Sequence, residues 1–250
     1  MTSGLREASQ NQAARAAGLI YLLTNASAIS AQYYIRSRLI ADGNAATTAA
    51  NIMASERLFR LGIVLELFTF AAVIALAVAL YALLRPVHRG LALLALSWRL
   101  VENAALAVMT FTSLNALQLL TPDPNLRPLA ADRLQALALL SVWAHDDQYT
   151  TGLIFFGLGS AVFCYLFFKS RYIPRALAAW GVFASLLTAA SSLVFLLFPH
   201  AALWAAPGCY LPIMTFEVIT GFWLLVKGVD IKALSGPPVP GGSGTAIRQA

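Results

Sequence analysis

The sequence predicts an all-α fold, an integral membrane bundle of six transmembrane helices with one short interfacial helix between the third and fourth. Three observations carry this. Of 250 residues, 59% are hydrophobic and 11% are charged, whereas a soluble domain carries about 25% charged residues. Six apolar runs reach the roughly 20 residues that cross a hydrocarbon core about 30 Å thick. A water-soluble helical bundle would need polar stripes at helical spacing, and the second, fourth and fifth runs have almost none. The net charge of +6 suggests nucleic acid at first sight. So few charges cannot both solubilise the chain and build a phosphate-binding face, so a membrane origin of the basic excess is expected.

Taken in order, residues 1–15 form a polar cytoplasmic segment, and the first span, Ala16 to Ile35, follows. No small-residue cleavage site follows a short apolar core, so this span reads as a retained anchor and not as a signal peptide. Asp42, Gly43 and Asn44 signal a turn, with Thr47 or Thr48 as a helix cap. The helix that follows carries Glu56 and Arg60 at i,i+4 spacing and runs straight into span two, Leu61 to Leu84. A tight basic turn, Arg85 to Gly90, contains Pro86 and leads to span three, Leu91 to Leu120. The stretch Thr121 to Gln148 opens with Pro122, Pro124 and Pro128. From Leu129 to Trp143 the residues Leu134, Leu137, Ala138 and Ser141 share one side, which predicts a helix lying on the membrane surface. Span four runs from Tyr149 to Phe168, span five from Ala176 to Phe198 and span six from Gly208 to Val226. Spans four and five are joined by the short link Lys169 to Arg175 with Pro174. Residues 16–234 thus form one membrane domain, and residues 235–250, rich in Gly, Pro and Ser, are expected to be disordered.

Basic residues orient the bundle. Ten Lys and Arg fall on the side of the N-terminus and six on the other, which places both termini in the cytoplasm and the protein in a plasma membrane. Sorted by location, the charges sum to +8 on the cytoplasmic rim, 0 outside and −2 within the spans.

That buried −2 comes from Glu66, Arg99, Glu102 and Glu217. An ionised side chain at mid-membrane costs at least about 2.5 to 3.5 kcal/mol, so each needs a partner, a proton or water. At a rise of about 1.5 Å per residue, Arg99 lies about 12 Å and Glu102 about 16 Å from one edge, Glu217 about 13 Å and Glu66 about 7 Å from the other. Glu102 and Glu217 thus reach nearly the same level. Arg99, Glu102, Asn103, Leu106 and Thr110 share one helix face, so Arg99 and Glu102 can pair. One arginine cannot neutralise three glutamates, and Arg60 at the mouth of span two is a candidate for part of the missing charge. Three readings follow: a cavity that binds or conducts a small polar or cationic solute, a lock that only fixes helix packing, and an intramembrane enzyme, for which no nucleophile or base stands out.

The remaining polar residues point elsewhere. His145, Asp146 and Asp147 read as a solvated outer cluster capping span four, because adjacent helical residues diverge and no HExxH spacing is present. His200 falls in an outer loop and His88 in a cytoplasmic turn. Ser160, in GLGSA, lacks the spacing of a nucleophile elbow and is expected to face a neighbouring helix. Gly157 and Ala161, with Gly181, Ala184, Ser185, Thr188 and Ser192, form small-residue ridges for close helix approach. Pro212 is expected to free a carbonyl one turn back and bend span six. Cys164 and Cys209 sit at opposite ends of their spans and cannot bridge. Tyr33, Tyr34, Trp143, Tyr149, Tyr172, Trp204 and Tyr210 read as an interfacial belt. No metal, cofactor or nucleic-acid partner is expected; the partners are the lipid bilayer and the solute.

Several stretches, ARAAGLIYLLTNASAISAQYYIRSRLI, TAANIMASERLFRLGIV, ALYALLRPVHRGLALLALSWRLVENA and FFKSRYIPRALAAWG, resemble a bacterial multi-pass membrane family known only as a domain of unknown function, family number 4386. The most specific pieces are NIMASERLFRLG and the Arg-Pro-Val turn followed by WRLVE, and the likeness runs in order from about Ala14 to Lys227. It implies six membrane helices and no assigned activity, so it supplies no catalytic residues. The family often has Asn where this chain has His88, which argues against a chemical role for that histidine.

Overall fold

Long runs rich in Leu, Ala, Val and Phe give long helices, and a computed structural model shows them over residues 2–41, 43–121 and 130–229, which are the residues described. The helix α1 spans Thr2–Ile29 and continues without a break into a π-helical stretch, Ser30–Arg36, and a single turn, α2, Ser37–Leu39. After it come α3, Ala45–Ala54, and α4, Glu56–Leu84, then α5, Arg89–Leu120, α6, Ala131–Ser170, α7, Arg175–Leu197, and α8, Pro199–Val226. Among the described residues there is no strand. The helices α4, α5, α6 and α7 and the stretch Gly208–Val226 of α8 are each long and apolar enough to cross a membrane. The helix α1 is outside that group, because Arg15, Thr24, Asn25 and Ser27 lower its hydropathy.

Packing closes these helices into a ring. α1 packs on α4, α4 on α5, α5 on α6, α6 on α7, α7 on α8, and α8 returns to α1. Glycines set the closest approaches. A Cβ at Gly18 would meet the backbone of α8 at 2.5 Å from Leu225 N, and one at Gly157 would meet Ser185 O of α7 at 2.5 Å. Gly181 faces Phe216 and Cys164 as tightly. The small-residue ridges expected from the sequence are therefore the α6–α7 and α7–α8 seams. Asn11 ties the two ends of the ring together, its side-chain oxygen accepting from Val229 N at 3.0 Å just beyond α8. Large apolar side chains, among them Val64, Phe68, Phe111, Phe183, Leu197 and Phe222, point outward and are exposed. An apolar exterior around buried charges is the inverse of a soluble protein's surface.

Several boundaries differ from the expectations. The polar segment before Ala16 is already helical, as the first half of α1. Asn44, and neither Thr47 nor Thr48, caps α3, accepting from Thr47 N at 2.9 Å. The helix breaks again at Ser55, so that Glu56 and Arg60 begin α4 and form their i,i+4 ion pair at 2.7 Å. The surface helix is not a separate element. It forms the first third of α6, a continuous rod of 40 residues and about 60 Å, because Ala-His-Asp-Asp-Gln after Trp143 contains no helix breaker. Its Ala138 and Val142 are buried in a cluster with Ile35, Ile52 and Phe59, while Leu137, Leu140 and Trp143 on its other side are exposed. His200 lies in the first turn of α8 and not in a loop. Of the aromatic belt, Tyr33, Tyr34 and Trp143 are exposed, whereas Tyr172 is buried and Tyr149 and Tyr210 turn inward. The Trp204 side chain, Pro122, Pro124, Pro128 and the tail 235–250 lie outside the described residues. Both cysteines are free, as expected.

Candidate functional site

The ring encloses a cavity of about 150 Å³, and all six of its helices contribute to the wall. That is room for several waters or one small solute. The four buried charges come together here: Glu66 from α4, Arg99 and Glu102 from α5, and Glu217 from α8 all line it. Thr24, Asn25 and Gln32 complete the α1 side, and Tyr149 and Tyr210 the other.

Each charge is held by a different element. Arg99 Nη1 lies 2.9 Å from Glu102 Oε2 one turn along α5, with both side chains buried. That contact is close in distance but poorly aligned for a hydrogen bond, and the oxygen is otherwise unpartnered among the described residues. The same nitrogen donates to Ser160 Oγ on α6 at 3.5 Å, and the guanidinium stacks 4.5 Å above the Phe156 ring. The close fit of α6 at this point depends on Gly159, where a Cβ would lie 3.2 Å from Arg99 Cδ. Ser160 thus faces its neighbour as anticipated, and its partner is the arginine. Asn103 Nδ2 donates to the Arg99 carbonyl at 2.8 Å, and its own Oδ1 has no partner among the described residues.

Glu217 accepts from Asn25 Nδ2 at 3.2 Å, a bond that joins α8 to α1. Asn25 is itself pinned by donating to Tyr21 O at 3.0 Å. Next to it Ser27 Oγ and Thr69 Oγ1 share a hydrogen bond of 2.5 Å that joins α1 to α4. Glu66 finds a partner that the sequence did not offer. His145 of α6 is fully buried, with Nε2 3.0 Å from Glu66 Oε1. The expected solvated cluster is thereby corrected: Asp146 is exposed, but His145 points into the protein. Arg60 is also reassigned. It is exposed and paired with Glu56, so it supplies no charge to the cavity.

Two signals could have found the missed residues. Ala138, Val142, His145, Tyr149, Gly152 and Phe156 recur at three- and four-residue spacing along the inner face of α6, which marks His145 as inward-facing. Asn25 is a side-chain amide inside an apolar span, and such a group seeks a partner on another helix. His88 caps α5 with Nδ1 accepting from Leu91 N at 3.1 Å, which is also what an Asn in its place would do. Pro212 stays within α8, its carbonyl accepting from Trp180 Nε1 at 3.1 Å.

No curated protein and no solved structure matches the chain. One family model does, over residues 16–228, under the description "Domain of unknown function (DUF4386)". The match takes in the second half of α1, the other helices of the ring and all four cavity charges, and the chain belongs to this family of unknown function.

Proposed function

We propose that this protein binds or conducts a small polar or cationic solute through the central cavity, as a six-span protein of the bacterial plasma membrane with both termini in the cytoplasm. One observation carries the reading: three carboxylates and a single guanidinium converge on a hollow large enough for a solute, leaving an excess of negative charge for a guest to offset. Fixed side-chain amides and hydroxyls around it, such as Asn25 and Thr24, suit recognition of a polar group. The sixth span is α1 with its π-helical extension. It occupies one full place in the ring, its polar groups bond back to their own carbonyls or face inward, and Leu19, Leu23 and Ile29 point outward. An even number of spans agrees with the Asn11–Val229 bond, which holds both ends on one side.

A second reading, in which the charges only lock the bundle, has its own support. Asn25–Glu217, Ser27–Thr69 and Glu66–His145 each bridge two helices. The two readings separate by experiment. In liposomes carrying wild type, Glu102→Gln or Glu217→Gln, binding and flux of guanidinium and tetramethylammonium ions are followed as a function of pH. Binding weakened about tenfold or more in either variant supports the site, since removing one charge contact typically costs more than about 1.4 kcal/mol. Unchanged binding by normally folded variants refutes it. A reporter fused after Ala250 that is active only outside the cell would overturn the orientation.

A further inference from the structure

The contact between Glu66 and His145 does not end at the imidazole. Nε2 meets Glu66 Oε1 at 3.0 Å on the cavity side, while Nδ1, buried and without a hydrogen-bond partner among the described residues, lies 3.6 Å from Asp146 Oδ1. The Asp146 side chain is half exposed and forms an ion pair of 2.7 Å with Arg36, which also donates to Val142 O at 3.0 Å. One fully buried ring therefore separates a carboxylate that lines the cavity from a carboxylate in contact with water. A small hollow of about 20 Å³, lined by Arg36, Glu66 and Ser113 among others, is the size of a single water. It adjoins Glu66, whose Oε2 has no partner among the described residues.

We propose that His145 relays protons between the surface at Asp146 and the cavity carboxylate Glu66, so that the cavity is loaded with protons from the Arg36–Asp146 end of the ring. This builds on the cavity reading and names the proton as one of its guests. In the first step Nδ1 takes a proton from water or from Asp146, and in the second Nε2 passes its own proton to Glu66 Oε1. The imidazole is neutral again, Glu66 is neutral, and the donor carries the charge left behind. Rotation of the ring, or return of the proton by the same path, restores the first tautomer. Imidazole suits the task because its two nitrogens can gain and lose protons on opposite sides within the physiological range. The charged or titratable groups that face it are Glu66 from α4, Asp146 on its own helix and Arg36 from the π-helical stretch. α3 has no titratable residue, and neither does the facing stretch of α5 from Leu106 to Leu117.

A direct water route is the competing path, because the hollow at Glu66 is also lined by Arg36, the partner of Asp146, and the rate in His145→Gln separates the two. Val142 and Ala138, on the same face of α6 as His145, are buried in one apolar cluster with Ile63 and Phe59 of α4. In such surroundings a charge-carrying path needs a side chain that can hold the proton in passing.

The test uses the full chain in nanodiscs, where both faces see the buffer, and reads infrared absorption of the Glu66 carboxylic acid after rapid pH steps, with the band assigned by its loss in Glu66→Gln. In wild type the band is expected to rise as the buffer is taken from about pH 9 to about pH 4, a range that brackets carboxylate and imidazole titration. His145→Gln keeps a hydrogen bond to Glu66 but cannot pass a proton, and it is expected to slow the rise at least tenfold while leaving the thermal unfolding midpoint within a few degrees. Should that variant fail to fold, Asp146→Asn at the exposed end is expected to slow the same step several-fold. A band that never appears, or that rises at the wild-type rate in a folded His145→Gln, overturns the relay. Guanidinium binding in the same preparation reports separately on the cavity: binding with no relay leaves the solute site standing, and a relay without solute binding leaves a proton pathway alone.

Discussion

Removing Arg99 should cost more than removing its partner. Arg99 and Glu102 are both buried, 2.9 Å apart. At an effective dielectric constant of about 20, charges at that distance attract by about 6 kcal/mol, and desolvation of several kcal/mol per ion offsets most of it. The net value of the pair is therefore small, but the cost of breaking it is not. In Arg99→Met, Glu102 loses its counter-ion while Glu66 and Glu217 still line the same cavity, for an expected loss of about 3–5 kcal/mol. In Glu102→Leu, Arg99 keeps Ser160, the Phe156 face and the remaining carboxylates of the cavity, and the loss should be about 1–3 kcal/mol. The double variant replaces both charges by apolar groups and should come within about 2 kcal/mol of wild type. Unfolding in detergent micelles, followed by circular dichroism against denaturant, gives all four corners of the cycle. Additive single losses, or a larger loss for Glu102→Leu than for Arg99→Met, would refute this account of the cluster.

Three further outcomes are expected. Gly157→Ala should destabilise by about 1–3 kcal/mol, since its Cβ meets the Ser185 carbonyl at 2.5 Å, whereas Gly208→Ala meets nothing within 4 Å and should be neutral or stabilising by up to about 1 kcal/mol; the same unfolding assay compares them. His88→Ala should lose about 1 kcal/mol of cap energy and His88→Asn almost none, visible as a difference in melting midpoint. Asp146, which lies before span four, should add a small acid dependence. Burial acts to raise its pKa, but the nearby His145 ring and the paired Arg36 guanidinium outweigh that and hold the carboxyl below its ordinary 3.8. A depressed carboxylate stabilises above its unfolded pKa, and that stability is lost as pH falls through the folded value, so stability should decline below about pH 4 and Asp146→Asn should flatten the decline. Because the side chain is half exposed, the amplitude should be a fraction of a kcal/mol.

Hydrophobic length made most of the fold legible, because crossing a membrane is a constraint on composition that a single sequence displays. Element ends were less legible where no Gly or Pro marks them. The join between the expected surface helix and span four is such a place: His145, Asp146 and Asp147 resemble a loop by polarity, yet their backbone continues the helix without strain. Depth counting brought Glu102 and Glu217 to one level, and all four charges do reach one cavity. Counting along a helix says nothing of rotation about its axis, so depth alone could not name the partners of Glu66 and Glu217, which needed the inward face of α6 and the lone amide of α1. Tyr172 shows the same limit from the other side, an aromatic at a span end that is buried and not at an interface.

The lock and the solute site need not compete for the same atoms. Glu66 is bound through Oε1 to His145 and leaves Oε2 without a partner among the described residues, and Glu217 is bound through Oε2 to Asn25. A carboxylate fixed by one oxygen is positioned by the bundle while the other stays available, so an interhelical bond and an open acceptor coexist on one side chain. Replacing such a Glu by Gln preserves the shape and one acceptor but removes the charge, so a lock should survive that change largely intact and a cation or proton site should not. For Glu66 the two outcomes are opposite in kind. A pure lock predicts that Glu66→Gln folds almost as stably as wild type and that His145→Gln leaves the rate of Glu66 protonation unchanged, whereas the relay predicts that His145→Gln slows that step in a protein that still folds.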